Sequence, residues 1–235
     1  MTKLNCAVTQ WSLAGQCQLQ AVNPIPQGAE VLRELPLVKV ALGRYAYGTH
    51  VWDMVDRILS ERALKQEYYG WELKQNPKRG GFGRLDADVT KALSQKHGVS
   101  RDIVQNIYLS VGTNNIGYVG PGGTLQGFGL YKILSRANHA CDPNARIAPG
   151  DPAAGETVLI ALRDIQPGEP ITWRYLDVVD EQDFSAADYH ARNRALATLC
   201  GFACACARCS AEQPAALRNV DLLSYFLDGN AAGPS

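Results

Sequence analysis

Cys204, Cys206 and Cys209 fall within six residues, directly after Gly201-Phe202. No other feature restricts so sharply what this chain can fold into. A disulfide scaffold spreads its cysteines along the sequence, whereas three clustered thiols are the pattern of a metal site. Zinc takes four ligands in a tetrahedron, and a structural zinc site leaves no position open. A fourth ligand must therefore come from elsewhere in the chain. Cys141 is the first candidate, because it stands in an unusual phrase, Asn138-His139-Ala140-Cys141-Asp142-Pro143-Asn144, rather than in an apolar stripe. Cys200 is its rival, placed on the helix expected just before the cluster. Such a site would tie the C-terminal segment to the middle of the chain and link folding to metal binding.

The other cysteines are Cys6 and Cys17, which makes seven, an odd number. With no disulfide framework in view, a reducing compartment is expected. Met1 to Trp11 has one lysine and no long apolar core, so no secretory signal is read there. No stretch approaches the ~20 consecutive apolar residues of a membrane span. The expected location is intracellular, in nucleus or cytoplasm. Lysine plus arginine equals aspartate plus glutamate at 23 each. A neutral chain has no electrostatic reason to coat nucleic acid or an anionic membrane, so neither is expected as a partner.

Along the chain, residues 4 to 40 carry Asn23-Pro24, Pro26, Gly28 and Pro36 between short apolar pairs, which predicts short strands and turns. Val51, Val55, Ile58, Leu59 and Leu64 recur at helical spacing. A polar, glycine-rich loop is expected over 76 to 84, then short helices over Leu85 to Lys96 and Arg101 to Ser110. Residues 117 to 129 hold six glycines and a proline, and read as a loop or tight turns. Strands are expected over Thr157 to Leu162 and Ile171 to Tyr175, joined by a turn at Pro167-Gly168. A further helix begins at Ser185 as N-cap, with Asp188 three residues on, and closes at Gly201. A last short helix is expected over Leu217 to Leu227.

Three phrases together resemble the SET-domain family of lysine methyltransferases. Asn138 to Asn144 is similar to the family's N-H-S-C-x-P-N. Arg163-Asp164-Ile165-Gln166-Pro167-Gly168-Glu169-Pro170-Ile171-Thr172, running into Tyr175, resembles R-D-I-x-x-G-E-E-I-T-x-x-Y. Gly201-Phe202-x-Cys204-x-Cys206-x-x-Cys209 resembles the post-SET segment. They occur in the family's order and cover about residues 127 to 209. The long middle insert and the helix before the cysteines look most like the SET-and-MYND subgroup; no MYND finger is present, because Cys6 and Cys17 are too few.

The resemblance implies an α+β fold, mostly β with a helical insert: a β-clip-like SET domain with a C-terminal post-SET zinc site. Its parts would be 1–42 and 117–184 for the SET domain, 43–116 for the insert, 185–210 for the post-SET helix and zinc segment, and 211–235 for a tail. It implies S-adenosylmethionine as methyl donor and a protein lysine as acceptor. Carried over, Asn138 and His139 would bind the cofactor, Tyr175 would orient the lysine amine, and Phe202 would stack on the adenine. Asn114 resembles a cofactor-contacting asparagine of the subgroup, with Asn115 as the alternative. The subgroup's fourth zinc thiolate is the cysteine of the Asn-His phrase, here Cys141. The family's G-x-G opening is reduced to Gly15 in Gly15-Gln16-Cys17, and Cys200 replaces a frequent aromatic. The alternatives are a SET-fold binding module, or a repurposed enzyme acting on a small molecule.

Overall fold

The computed structural model describes residues 6–10, 17–42, 49–71, 73, 86–179 and 182–228. Gly15 and the loop expected over 76–84 lie outside the described residues.

The described residues up to Ala41 build short strands, as their turn residues predict. β1 (Cys6–Gln10) pairs antiparallel with β2 (Cys17–Ala21). β3 (Glu30–Glu34) and β4 (Val38–Ala41) follow on either side of Pro36. Four helices come next: α1 (His50–Ser60), α2 (Arg62–Tyr69), α3 (Ala87–His97) and α4 (Arg101–Asn114). Side-chain oxygens start two of them. Asp86 accepts from the Asp88 and Val89 amides, and Ser100 from the Ile103 amide. The predicted stripe of α1 is buried: Val51, Val55, Ile58 and Leu59 pack with Val104, Ile107 and Val111 of α4 and with Val38 and Val40 of β4. The helices thus cover one sheet by apolar burial rather than by charge.

β5 (Asn115–Val119) and β6 (Leu125–Leu130) complete that sheet in the order β4-β6-β5. This corrects the expectation of a loop over 117–129. Only 121–123 form a short turn. Glycine weakens a strand when its neighbours stand apart, but here they press close. A Cβ on Gly127 would overlap the Val40 carbonyl oxygen and meet the Tyr118 hydroxyl at 2.6 Å. Gly127 lets the strands approach.

β7 (Asn138–His139) is two residues long, and β8 (Ala145–Pro149) pairs with β9 (Thr157–Ala161). β9 is the centre of a second three-stranded sheet, β3-β9-β8, whose inner residues Leu32, Leu159 and Ala145 pack with Leu19, Ile25, Ile165 and Ile171. β10 (Thr172–Trp173) runs parallel to β7, with Thr172 opposite Asn138 and Trp173 opposite His139. β11 (Val178–Val179) and β12 (Gln182–Asp183) form a small hairpin.

α5 (Tyr189–Cys200) begins three residues later than the Ser185 expectation. Asp188 is the cap, accepting the Ala191 amide at 2.8 Å. Ser185 is diverted, because the Asp183 carboxylate takes its amide hydrogen at 2.7 Å. The helix closes as predicted at Gly201, whose φ of 72° is left-handed. α6 (Ala207–Glu212) follows the cysteines. The expected helix over 217–227 is split into a turn at 215–217 and α7 (Leu222–Leu227), since Asp221 caps a fresh start through the Ser224 and Leu223 amides.

Two of the three sequence motifs are clasped by one side chain. Asn144 is 2% exposed. Its Nδ2 donates to the Pro170 carbonyl at 2.8 Å and Glu169 Oε1 at 3.0 Å, and its Oδ1 accepts the Thr172 amide at 2.8 Å. The Arg163 guanidinium, together with Asn144 and the Gln166 amide, holds Glu169 down at about 2 against the opposing effect of burial. The folded value lies below the ordinary 4.5. Glu169 therefore adds stability at neutral pH that is lost as pH falls from ~4.5 towards ~2. In urea unfolding followed by circular dichroism, Glu169→Gln should be less stable than the parent at pH 7, with the gap closing near pH 2. A pH-independent gap would contradict this account.

Candidate functional site

An open cleft, about 610 Å³ counting the solvent at its mouth, lies where the end of α4, the β5–β6 edge, the turn before β7, the segment after β10 and the end of α5 meet. Each wall is placed by a local cause. Glu34 on β3 accepts the Lys132, Ile133 and Leu134 amides at 2.7 to 3.0 Å. Burial pushes this carboxyl's pKa up, against those hydrogen bonds. The clamp holds the turn that presents Ser135 and Ala137 to the cleft. The Ser135 hydroxyl is buried with no partner among the described atoms. A buried hydroxyl without a partner is costly, so a polar ligand in the cleft would have something to satisfy.

Tyr175 and Asn114 are both on the wall. The Tyr175 hydroxyl donates to the Ala137 carbonyl at 3.1 Å, and the Trp173 indole N–H donates to the same oxygen at 3.1 Å. Asn115 lines the cleft beside Asn114. Its amide nitrogen closes the last turn of α4 on the Val111 and Gly112 carbonyls, and its Oδ1 lies 3.3 Å from Nε2 of buried His50. His50 in turn stacks on Phe128, another wall residue, at 3.9 Å. Sequence reasoning named Asn115 only as an alternative and missed His50, Ser135 and Ala137. A lone histidine in a helix carries no local signal, and Ala137 acts through its carbonyl, which every residue owns.

Asn138, His139 and Phe202 stand beside the cleft rather than on its described wall. Asn138 turns its amide to the Cys17 carbonyl at 3.4 Å. His139 meets Tyr175 edge to face at 5.3 Å, and Phe202 lies 5.9 Å from His139 and 6.1 Å from Tyr175, between ring centroids. Burial lowers the His139 pKa to about 4, so the ring is neutral near pH 7.

The structure brings Cys141, Cys204, Cys206 and Cys209 together, with their sulfurs all within 4.8 Å of one another. Cys200, the rival, lines the cleft instead. A tetrahedral zinc with bonds of about 2.3 Å spaces its sulfurs by about 3.8 Å. The Cys141 sulfur lies 3.9 Å from that of Cys204 and 3.4 Å from that of Cys209. The set therefore fits a tetrahedral thiolate-bound metal.

Four thiolates around a dication carry excess negative charge, and the surroundings offset it. Arg192 on α5 is 0% exposed. Its Nη2 lies 3.9 Å from the Cys209 sulfur and also meets Glu212. Asn193 Nδ2 reaches the Cys209 sulfur at 3.6 Å, while its Oδ1 accepts the Cys204 amide at 2.7 Å. The Cys206 amide donates to the Cys204 sulfur at 3.4 Å. Such outer partners orient metal ligands. Both Arg192 and Asn193 escaped sequence reasoning, because they look like ordinary polar positions of α5.

The SET domain family model matches residues 40–176. Among known proteins, the human histone-lysine N-methyltransferase SMYD3 is 36% identical over 98 residues, covering 42% of this chain and 20% of its own length. The Gallus gallus protein-lysine N-trimethyltransferase SMYD5 is 37% identical over 87 residues, covering 37% of this chain and 20% of its own. The Schizosaccharomyces pombe histone-lysine N-methyltransferase set5 is 31% identical over 102 residues, covering 42% and 30%. The likeness thus spans less than a third of the length of these relatives. The fold is similar to the solved SET domain of LSMT, bound to lysine and AdoHcy, with a TM-score of 0.50 at 11% identity, covering 86% of this chain and 54% of that one. The family model takes in more than half of the chain, including the Asn144 clasp, Tyr175 and the cleft's α4–β5 edge; the protein belongs to the SET domain family.

Proposed function

We propose that this chain is a protein-lysine N-methyltransferase that draws its methyl group from S-adenosylmethionine. One observation carries the reading. The Tyr175 hydroxyl and the Ala137 carbonyl oxygen sit 3.1 Å apart on the wall of the cleft that also presents Ser135 and Asn114. When bound, S-adenosylmethionine supplies an electrophilic methyl on a positively charged sulfur. The residues' task is to hold an uncharged amine in line with it. The phenolic and carbonyl oxygens can accept the amine's hydrogens and leave its lone pair aimed along the cleft. The apolar wall made by Phe128, Trp173, Leu176 and Leu199 favours the neutral amine by excluding water. No charged side chain is among the described wall residues. The rate enhancement then comes from positioning rather than from a strong base.

In this reading Asn138, His139 and Phe202 extend the cofactor site beside Tyr175, and Gly15 belongs to it by resemblance. Zinc occupies the Cys141, Cys204, Cys206 and Cys209 cluster as a structural ion. The substrate is a lysine side chain of a protein, which the names of the relatives support. Nucleus or cytoplasm suits reduced thiols, and among the described residues no helix is long and apolar enough to cross a membrane. A SET-fold binding module is the second reading, favoured by Cys200 standing on the cleft wall.

Tyr175→Phe separates the two. Steady-state transfer of radiolabelled methyl to a protein substrate should fall by roughly 10²-fold or more, the scale of a lost transition-state contact. The melting temperature should move little, since a net hydrogen bond is worth about 1 kcal/mol. No transfer by either protein favours the module.

Calorimetric titration should show micromolar S-adenosylmethionine binding to zinc-loaded protein, weakened roughly 3- to 10-fold in Ser135→Ala, as for one lost buried hydrogen bond. Equal affinities would remove Ser135 from the site. Elemental analysis should find one zinc per chain. Cys204→Ser should lose the metal to a chelator that leaves the parent loaded, and should melt at a lower temperature. Metal-free protein with unaltered melting would contradict a structural zinc.

A further inference from the structure

His139 lies between the two functional features. Its Nδ1 accepts the Tyr175 backbone N–H at 3.1 Å. A neutral imidazole has one acceptor and one donor nitrogen. With Nδ1 committed as acceptor, the proton is on Nε2, and Nε2 lies 3.5 Å from the Cys141 sulfur. Three aromatic rings fix the orientation: Tyr175 at 5.3 Å, Phe184 at 5.6 Å and Phe202 at 5.9 Å between centroids. One ring thus bonds to a cysteine of the four-sulfur cluster on one side and to the chain of the cleft tyrosine on the other.

We propose that His139 is a positioning residue that couples metal occupancy of the cysteine cluster to ligand binding in the cleft. The proposal rests on the cofactor and zinc readings above and adds the route between them. A metal-bound Cys141 is a thiolate, and a hydrogen bond to a charged acceptor is stronger than one to a neutral thiol. Donating more strongly through Nε2 makes Nδ1 a better acceptor, because linked hydrogen bonds polarise one another. The Tyr175 amide is then held more firmly. The Tyr175 hydroxyl, bonded to Ala137, is held with it. Coupling of binding is reciprocal, so a ligand that orders Tyr175 must also tighten the metal.

Two substitutions divide the two bonds. His139→Asn keeps an acceptor near the Nδ1 position but is too short to reach Cys141. His139→Gln places an amide N–H near the Nε2 position but lacks the acceptor for Tyr175. The full chain is titrated with zinc against a competing chelator, with and without S-adenosylhomocysteine. The same proteins are loaded with cobalt(II) to read the sulfur-to-metal charge-transfer band. In the parent, S-adenosylhomocysteine should tighten zinc by roughly 5- to 10-fold. The ratio should fall to about one in both variants. The band should shift in His139→Asn and stay near the parent's in His139→Gln. Retention of the parent ratio in either variant, should only one fold, overturns the proposal. So does an unshifted band in His139→Asn. A ratio of one in a parent that binds S-adenosylhomocysteine overturns this coupling alone; a zinc-loaded parent that does not bind it overturns the cofactor reading as well.

Discussion

The Asn144 clasp is the constraint on which the site depends. It joins the segment 138–144 to the segment 169–172 through three hydrogen bonds from one buried amide. Asparagine suits the task because it donates and accepts from the same planar group. With the clasp in place, β7 and β10 pair over two residues each, far too few to be stable alone. That short parallel pair then puts Tyr175 against His139 and within reach of the Ala137 carbonyl. A single side chain substitutes for the long ladder that parallel strands usually need.

The cysteine cluster sits in an apolar core and is bordered by polar partners. Cys141, Cys204 and Cys209 are nearly fully buried, and so is Arg192. A buried guanidinium is costly unless paired, and it is paired here with Glu212 and placed beside the Cys209 sulfur. The same helix supplies Asn193, which ties its own turn to the Cys204 amide. α5 is therefore scaffold and outer sphere together. Its other end contributes Cys200 and Leu199 to the cleft, so one rigid element spans both features.

The helical segment contributes differently. α1 and α4 bury an apolar stripe on the β4-β6-β5 sheet. Where α4 ends, its last residues turn from packing to lining: Thr113, Asn114 and Asn115 reach the cleft. The Asn114 and Asn115 side-chain amides donate to carbonyls of the helix's last turns. The cleft wall is thus built from groups whose hydrogen bonds are largely spent inside the protein. The Ser135 hydroxyl is the exception among the described wall atoms.

Much of this was legible in the sequence, for identifiable reasons. Three thiols in six residues announced a sulfur cluster able to hold a metal, because packing hardly explains them. The α1 stripe, the Gly201 closure and the Thr157–Ala161 strand followed from local periodicity and backbone preference. Glycines at 117–129 misled, since a strand glycine and a loop glycine look alike until the neighbouring Val40 carbonyl and Tyr118 ring are in place. Ser185 misled because Asp183 competes for its amide, a choice that depends on the β11–β12 hairpin. Sequence by itself determined the ligand chemistry, the segment order and the family resemblance, all carried by residue type at short spacing. Tertiary structure alone decided that Arg192 and Asn193 surround the cluster and that Ala137 lends its carbonyl to Tyr175; for Cys141, already preferred to Cys200 in the sequence, it supplied the distances. Those outcomes rest on distances between residues 11 to 68 positions apart or on backbone atoms common to every residue, and no local pattern encodes either.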